Sequence, residues 1–264
     1  MSYRDLVTSC MRDIVTSCLK PGKYQLIDCT QNFKKLRKEL DNFLILYPDP
    51  VPYYIVAKIN MILQSELAVK TIILPCIFPR LHRNCRMSIW QGDISIIRAD
   101  CIVNPLDSSG LGCFNPYHNC IDNLLRCKAG PQLRSECAQK IANRTIKSGD
   151  MFTTLAYNLP YRYIFHVRGP IYDQVNRNTH EIVLAGCYIN CLEKMKEMCL
   201  HSIVFCPIST NELKYPTPEA TVVAFNAVNR WLEENAELDL HVIFCVCEDS
   251  DRMIYEEVSE SCLW

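Results

Sequence analysis

The chain has 264 residues and a mass of 30.5 kDa, with a net charge of -1 from 28 basic and 29 acidic side chains. That balance leaves no electrostatic footprint for nucleic acid, so an anionic ligand must be held by local dipoles and a few side chains. The 17 cysteines would suit a disulfide scaffold in a short secreted chain, but no leader pattern opens the sequence and no run of about 18 apolar residues spans a membrane; the expectation is a reduced, cytoplasmic protein without membrane contact.

Residues 1–86 read as helical. Arg4-Asp-Leu-Val-Thr-Ser-Cys is echoed by Arg12-Asp-Ile-Val-Thr-Ser-Cys, a duplication too short for a solenoid unit. Apolar residues at helical spacing run through Phe33–Tyr47 beside Lys34, Lys35, Arg37 and Lys38, whose simplest reading is a solvated face, and stop at Pro48-Asp-Pro-Val-Pro. A second helix is predicted over Tyr53–Val69, and the proline-rich stretch Pro75–Pro79 reads as a linker.

From Met87 the pattern changes to short apolar runs alternating with helical periodicity. Strands are predicted at Met87–Trp90, Cys101–Asn104, Met151–Leu155, Tyr163–Val167, Ser202–Cys206 and Leu240–Cys247. Helices are predicted near Cys120–Cys127, Pro131–Asn143, Thr179–Met198, Thr217–Asn235 and Asp249–Glu260. Such alternation argues for an α/β domain with a parallel or mixed sheet between helices, whose ligands bind beyond the carboxyl ends of the strands. His166, inside an apolar run, reads as a core histidine rather than a catalytic base.

One loop carries chemistry. Cys113, His118 and Cys120 fall within eight residues, after the Cys101–Asn104 strand and before a helix. Two thiolates and an imidazole suit zinc, and three ligands leave a fourth tetrahedral position for substrate. A chance triplet on a buried helix face competes with that reading, because paired C-x₂-C spacing is absent. Pro116 breaks any helix between the first ligand and the other two, and in an extended stretch His118 and Cys120 would point the same way. Asp122 by position alone is equally well read as an acid at a helix N-terminus.

Several runs together resemble the macrodomain family, and specifically its zinc-containing branch. They are Gln91-Gly-Asp-Ile-Ser, Asp100-Cys-Ile-Val-Asn, Leu111-Gly-Cys-Phe-Asn-Pro-Tyr-His-Asn-Cys-Ile-Asp-Asn, Ala129-Gly-Pro-Gln-Leu-Arg and Pro207-Ile-Ser-Thr. The resemblance covers about residues 87–258, and Leu63-Gln-Ser-Glu-Leu-Ala-Val-Lys is similar to the helical extension that precedes zinc macrodomains. It implies a three-layer α/β/α macrodomain with a mixed central sheet over residues 87–264, preceded by a helical extension over 1–86. It also implies an ADP-ribose pocket. In that pocket Asp93 and Ile94 would meet adenine, Asp107, Ile121, Asp122 and Asn123 would lie beside the distal ribose, and Ser209, Thr210, Asn211, Glu212 and Leu213 would cradle the diphosphate. Zn2+ held by Cys113, His118 and Cys120 would act there as a Lewis acid on the ribose. Members of this branch remove mono-ADP-ribose from protein side chains, so the implied partner is ADP-ribose or a mono-ADP-ribosylated protein, with Asp122 and Asn123 as the catalytic pair.

The sequence departs from the family pattern twice. Asp107 stands where an amide is usual, and a carboxylate only accepts hydrogen bonds. Asn211-Glu212-Leu213-Lys214 replaces the glycine and aromatic of the usual diphosphate loop. These departures motivate a second expectation, a module that binds ADP-ribose without turning it over. A third is a structural zinc protein whose helical N-terminus docks a partner.

Overall fold

Six short runs rich in Val, Ile and Phe pair into a single sheet in the computed structural model, which describes residues 1–19, 33–82, 84–142 and 144–261. The strands are β1 (Met87–Gln91), β2 (Cys101–Pro105), β3 (Met151–Leu155), β4 (Tyr163–Val167), β5 (Ser202–Phe205) and β6 (His241–Val246). Their order is β1-β6-β5-β2-β4-β3, and every pairing is parallel except β3 with β4, so the sheet is mixed.

The side-chain period of two sorts each strand onto two cores. Val103, Phe165, Ile203, Phe205, Val242 and Phe244 face α6 (Arg177–Glu197), α7 (Thr217–Glu234) and α8 (Asp249–Ser261), where Tyr188, Phe225 and Tyr255 pack. Ile102, Ile164, Val204 and Ile243 face α4 (Ile121–Ala129) and α5 (Gln132–Ile141), against Leu125, Leu133 and Cys137. This is the expected three-layer α/β/α arrangement with a mixed central sheet. Predicted ends fall within two residues of the observed ones, and those of β3 and β4 coincide; Asn143, the expected end of α5, lies outside the described residues.

Three helices precede the sheet: α1 (Tyr3–Ser17), α2 (Phe33–Leu46) and α3 (Tyr53–Ala68). Ser2 and Asp5 form a reciprocal capping box that starts α1. The three helices share a core of Leu6, Met11, Ile14, Leu40, Phe43, Ile55 and Ile59, and Cys127 of α4 joins it. Burying one such aliphatic side chain contributes about 1.5–3 kcal/mol, so the bundle is fastened to the sheet domain by packing as well as by polar contacts. Asn158 donates to Asn60 Oδ1 and to the Ala129 carbonyl, both at 2.7 Å.

The Pro75–Pro79 stretch is more than a linker. It holds a 3₁₀ turn at Pro75–Ile77, Ile73 bridges to Ile97, and Phe78 is buried with its ring 5.4 Å from that of Trp90. No helix among the described residues is long and apolar enough to cross a membrane. The 15 described cysteines are all free thiols, and Cys101, Cys206 and Cys245 are buried as small apolar groups.

Candidate metal centre and ligand cleft

The five parallel strands deliver their carboxyl ends to one edge of the sheet. At that edge lie residues 92–97 after β1, 106–120 after β2 and 206–216 after β5, which together carry every residue expected at the site apart from those opening α4.

The loop after β2 is held turn by turn. Asp107 Oδ1 accepts from Ser109 N, Ser109 Oγ and Gly110 N at 2.7–3.0 Å, so this exposed carboxylate closes its own turn. Gly112 has φ +131°, and a Cβ there would lie 2.9 Å from Arg126 Nε and 3.2 Å from Arg134 Nη2; only glycine suits both the backbone and the space. A turn then closes through His118 N to the Asn115 carbonyl at 3.1 Å, and Cys120 N donates to the His118 carbonyl at 3.0 Å. His118 to Cys120 is therefore a tight turn, not the expected extended stretch, because local backbone bonds bend it. Cys120 is the N-cap of α4, its Sγ accepting from Asn123 N at 3.5 Å.

The ligand atoms of Cys113, His118 and Cys120 all lie within 4.8 Å of one another, and Cys113 Sγ is 3.1 Å from His118 Nδ1. A tetrahedral zinc with bonds of about 2.3 Å to sulfur and about 2.0 Å to nitrogen sets its ligand atoms about 3.5–3.8 Å apart, within the 4.8 Å span of these three donors, whose types suit the ion. Burial, reinforced by Cys113, pushes the Cys120 thiol up to about 12. A bound cation would stabilise the thiolate that burial disfavours.

Asp122 and Asn123 both serve this loop. Asn123 Nδ2 donates to the carbonyls of Asn115 and His118, each at 2.8 Å, pinning the turn that carries the imidazole. Asp122 is buried; its carboxylate accepts from Cys113 N at 3.1 Å, Asn104 Nδ2 at 2.8 Å and Arg126 Nε at 2.9 Å. Burial alone would raise the Asp122 carboxyl, but Arg126 and Asn104 hold it below the usual carboxylate range. The network continues from Asn104 to His166 Nδ1 at 3.2 Å and from His166 Nε2 to Thr154 Oγ1 at 2.9 Å. His166 is fully buried, and burial pushes its pKa down to about 3, with the charge of Arg126 adding to the effect.

Across the cleft, Ser209 has φ +68° and a buried Oγ with no protein partner among the described residues. Gly169 lets this turn approach: a Cβ on Gly169 would fall 1.9 Å from Ser209 Oγ. Tyr215 N to Ser209 O and Lys214 N to Asn211 O close the loop, leaving Thr210 and Leu213 half-buried and Asn211 and Glu212 exposed. Glu212 reaches across to His118, with Oε1 3.2 Å from Nε2. Ile121, the first residue of α4, is half-buried next to the Cys113–Cys120 loop.

Asp93 and Ile94 stand apart, at the end of β1. Asp93 Oδ1 accepts from Ser95 N and Oγ, and Oδ2 accepts from Lys70 Nζ at 2.8 Å. Burial raises the Asp93 carboxyl, and Lys70 and Ser95 more than offset it, leaving a net lowering. The Ile94 carbonyl accepts from Tyr161 Oη at 2.7 Å. Sequence reasoning missed Lys70, Asn104, Arg126 and Arg134 as neighbours of the site. The i,i+4 spacing of Asp122 and Arg126 was the one available signal.

A Macro domain family model matches residues 103–224. A Staphylococcus aureus protein named protein-ADP-ribose hydrolase is 39% identical over 175 residues, which is 64% of this chain and 64% of that protein's own length. The Oceanobacillus iheyensis macrodomain with ADP superposes with a TM-score of 0.62 at 31% identity, over 70% of this chain and 94% of that one. A Trypanosoma brucei macrodomain in complex with ADP covers 96% of this chain and 95% of its own, with a TM-score of 0.63 at 23% identity, a likeness of fold alone.

Proposed function

The chain belongs to the macro domain family, and from that membership we propose that it is a zinc-dependent hydrolase that removes mono-ADP-ribose from modified protein side chains. Residues 1–86 would be a helical extension and 87–264 the macrodomain. The observation that carries the reading is the convergence of Cys113, His118 and Cys120 within 4.8 Å at the sheet edge where α/β ligands bind. The staphylococcal relative's name supports the reaction class.

Zinc held by these three residues would supply a Lewis acid to the distal ribose and the scissile linkage. The chain's own residues do the rest. Asn123 fixes the turn that aims His118, and Asp122 holds the Cys113 amide, so the pair proposed as catalytic also braces the Cys113–Cys120 loop. Ser209, Thr210, Asn211 and Leu213 form a turn ahead of α7, whose N-terminal amides and dipole favour a diphosphate. Glu212 turns toward His118, which keeps its charge from facing that diphosphate. Asp93 retains lone-pair capacity for the adenine amino group beside its bonds to Ser95 and Lys70, with Ile94 next to it.

Incubation with a mono-ADP-ribosylated peptide, with and without a chelator, tests the reading. Release of ADP-ribose that stops on chelation and returns with zinc is expected. Absent or chelator-insensitive release overturns it. One observation favours a second reading, an ADP-ribose-binding module without turnover: Asp107 gives one carboxylate oxygen to its own turn. Calorimetric binding of ADP-ribose without release from the peptide would select that alternative.

A further inference from the structure

Arg134 is buried, yet no carboxylate neutralises it among its hydrogen-bond partners. Those partners are three backbone carbonyls. Nη2 donates to Ile45 O at 2.7 Å and Nη1 to Tyr47 O, both at the C-terminal end of α2; Nε donates to Leu111 O at 2.9 Å in the metal loop. The guanidinium also sits over the Phe114 ring, 4.6 Å from its centroid. Leu111 and Phe114 flank Cys113, so one side chain of α5 grips the helical extension with one edge and both sides of a metal ligand with the other.

The choice of partners has a physical logic. The last carbonyls of a helix lack intrahelical donors and carry the negative end of its dipole, so the end of α2 stabilises a buried cation that no acid among the described residues hydrogen-bonds. A guanidinium has five donors in a fixed plane and can hold several carbonyls at set angles, which an ammonium cannot. Beside it, Arg126 Nη2 donates to Gly110 O at 3.2 Å, and Gly112 packs against both guanidinium groups. Docking the extension alone would not require contacts with Leu111 and Phe114.

We propose that the α1–α3 bundle is a working part of the metal centre, and that Arg134 is the positioning residue that couples the end of α2 to the loop bearing Cys113. The inference rests on the reading that Cys113, His118 and Cys120 bind zinc. The test measures zinc affinity of the full chain by competition with a chromophoric chelator, with the ligand-field spectrum of the cobalt-substituted protein as a second readout. Three variants are compared: Arg134→Met, which keeps volume and removes all donors, Arg134→Lys, and Leu232→Ala, a cavity in α7 on the opposite face of the sheet. The expected result is zinc affinity at least about tenfold weaker with Arg134→Met, the scale for losing groups that orient metal ligands. Arg134→Lys should be intermediate with an altered cobalt spectrum, and Leu232→Ala should lower the Tm without changing zinc affinity. Should Arg134→Met fail to fold, Arg134→Lys decides. Wild-type affinity and spectrum in the Arg134 variants, or an equal loss in Leu232→Ala, overturns the coupling alone. No zinc binding by the wild-type chain overturns the metal reading and the coupling together.

Discussion

Glu212 Oε1 lies 3.2 Å from His118 Nε2, while His118 Nδ1 lies 3.1 Å from Cys113 Sγ. The two ring nitrogens thus face different neighbours, with Nδ1 facing the Cys113 sulfur and Nε2 facing a carboxylate from the opposite wall of the cleft. A carboxylate on the distal nitrogen fixes the tautomer and raises the basicity of the ligating one. Glu212→Ala should weaken zinc by about tenfold, the low end for such partners because Glu212 is exposed. Glu212→Gln, which keeps an oxygen near Nε2 but not the charge, should lose less. Chelator competition checks both, and equal losses would remove the tautomer argument.

Asp122→Ala should be far more damaging to the fold than a surface change. It strips the buried Arg126 guanidinium of its only acidic partner among the described residues, and breaking a buried pair costs about 3–5 kcal/mol. Urea unfolding of the wild type, Asp122→Ala and the double variant Asp122→Ala/Arg126→Met would measure it. The double variant should recover much of the loss, because the orphaned charge is gone.

Lys70, just beyond the end of α3, holds the Asp93 carboxylate, which is proposed above to meet adenine. Lys70→Met should free Asp93 Oδ2 and raise ADP-ribose affinity by about two- to fivefold, the scale of one exposed charge-assisted bond. Ribose 5-phosphate, which lacks the base, should bind equally to both proteins. Calorimetry with the two ligands separates a base-specific effect from a general one.

His166 makes acid stability depend on a buried, neutral imidazole. Its folded pKa of about 3 lies below the ordinary histidine value of 6.5, so the unfolded chain takes up the proton first as pH falls. The stability associated with keeping the ring neutral is fully present above pH 6.5 and is lost progressively as pH drops toward 3. Between pH 6.5 and 4 this amounts to about 3 kcal/mol at 1.36 kcal/mol per unit. His166→Gln cannot titrate there, so it should be the less stable protein at pH 7.5 and close the gap toward pH 4. Parallel urea midpoints across that range would contradict the argument.

The sheet was legible because its signal is local. Ile203, Val204 and Phe205 are apolar on both faces, as buried parallel strands must be, and helical periodicity brackets them. The metal run was legible for the same reason, since three ligand-type side chains fall within eight residues. Asp107 was less so: Asp-Ser-Ser-Gly is a turn sequence in its own right, and the carboxylate bonds to that turn. Arg134 was beyond reach, because its partners Ile45 and Tyr47 are 89 and 87 residues away and are backbone carbonyls, which no side-chain motif encodes. The Lys70–Asp93 pair is hidden likewise, since nothing local indicates that the end of α3 meets the end of β1.

The Cys113–Cys120 run lies wholly outside the strands and meets α4 only at its cap. A metal centre that draws its donors from distant parts of a chain ties metal loading to folding, as small zinc domains do. Here the sheet and its two cores are complete without any residue of the run. On the zinc reading proposed above, occupancy and folding would therefore be separable variables: the chain would finish folding first and take up or surrender its ion afterwards as an intact protein, in response to the metal concentration around it.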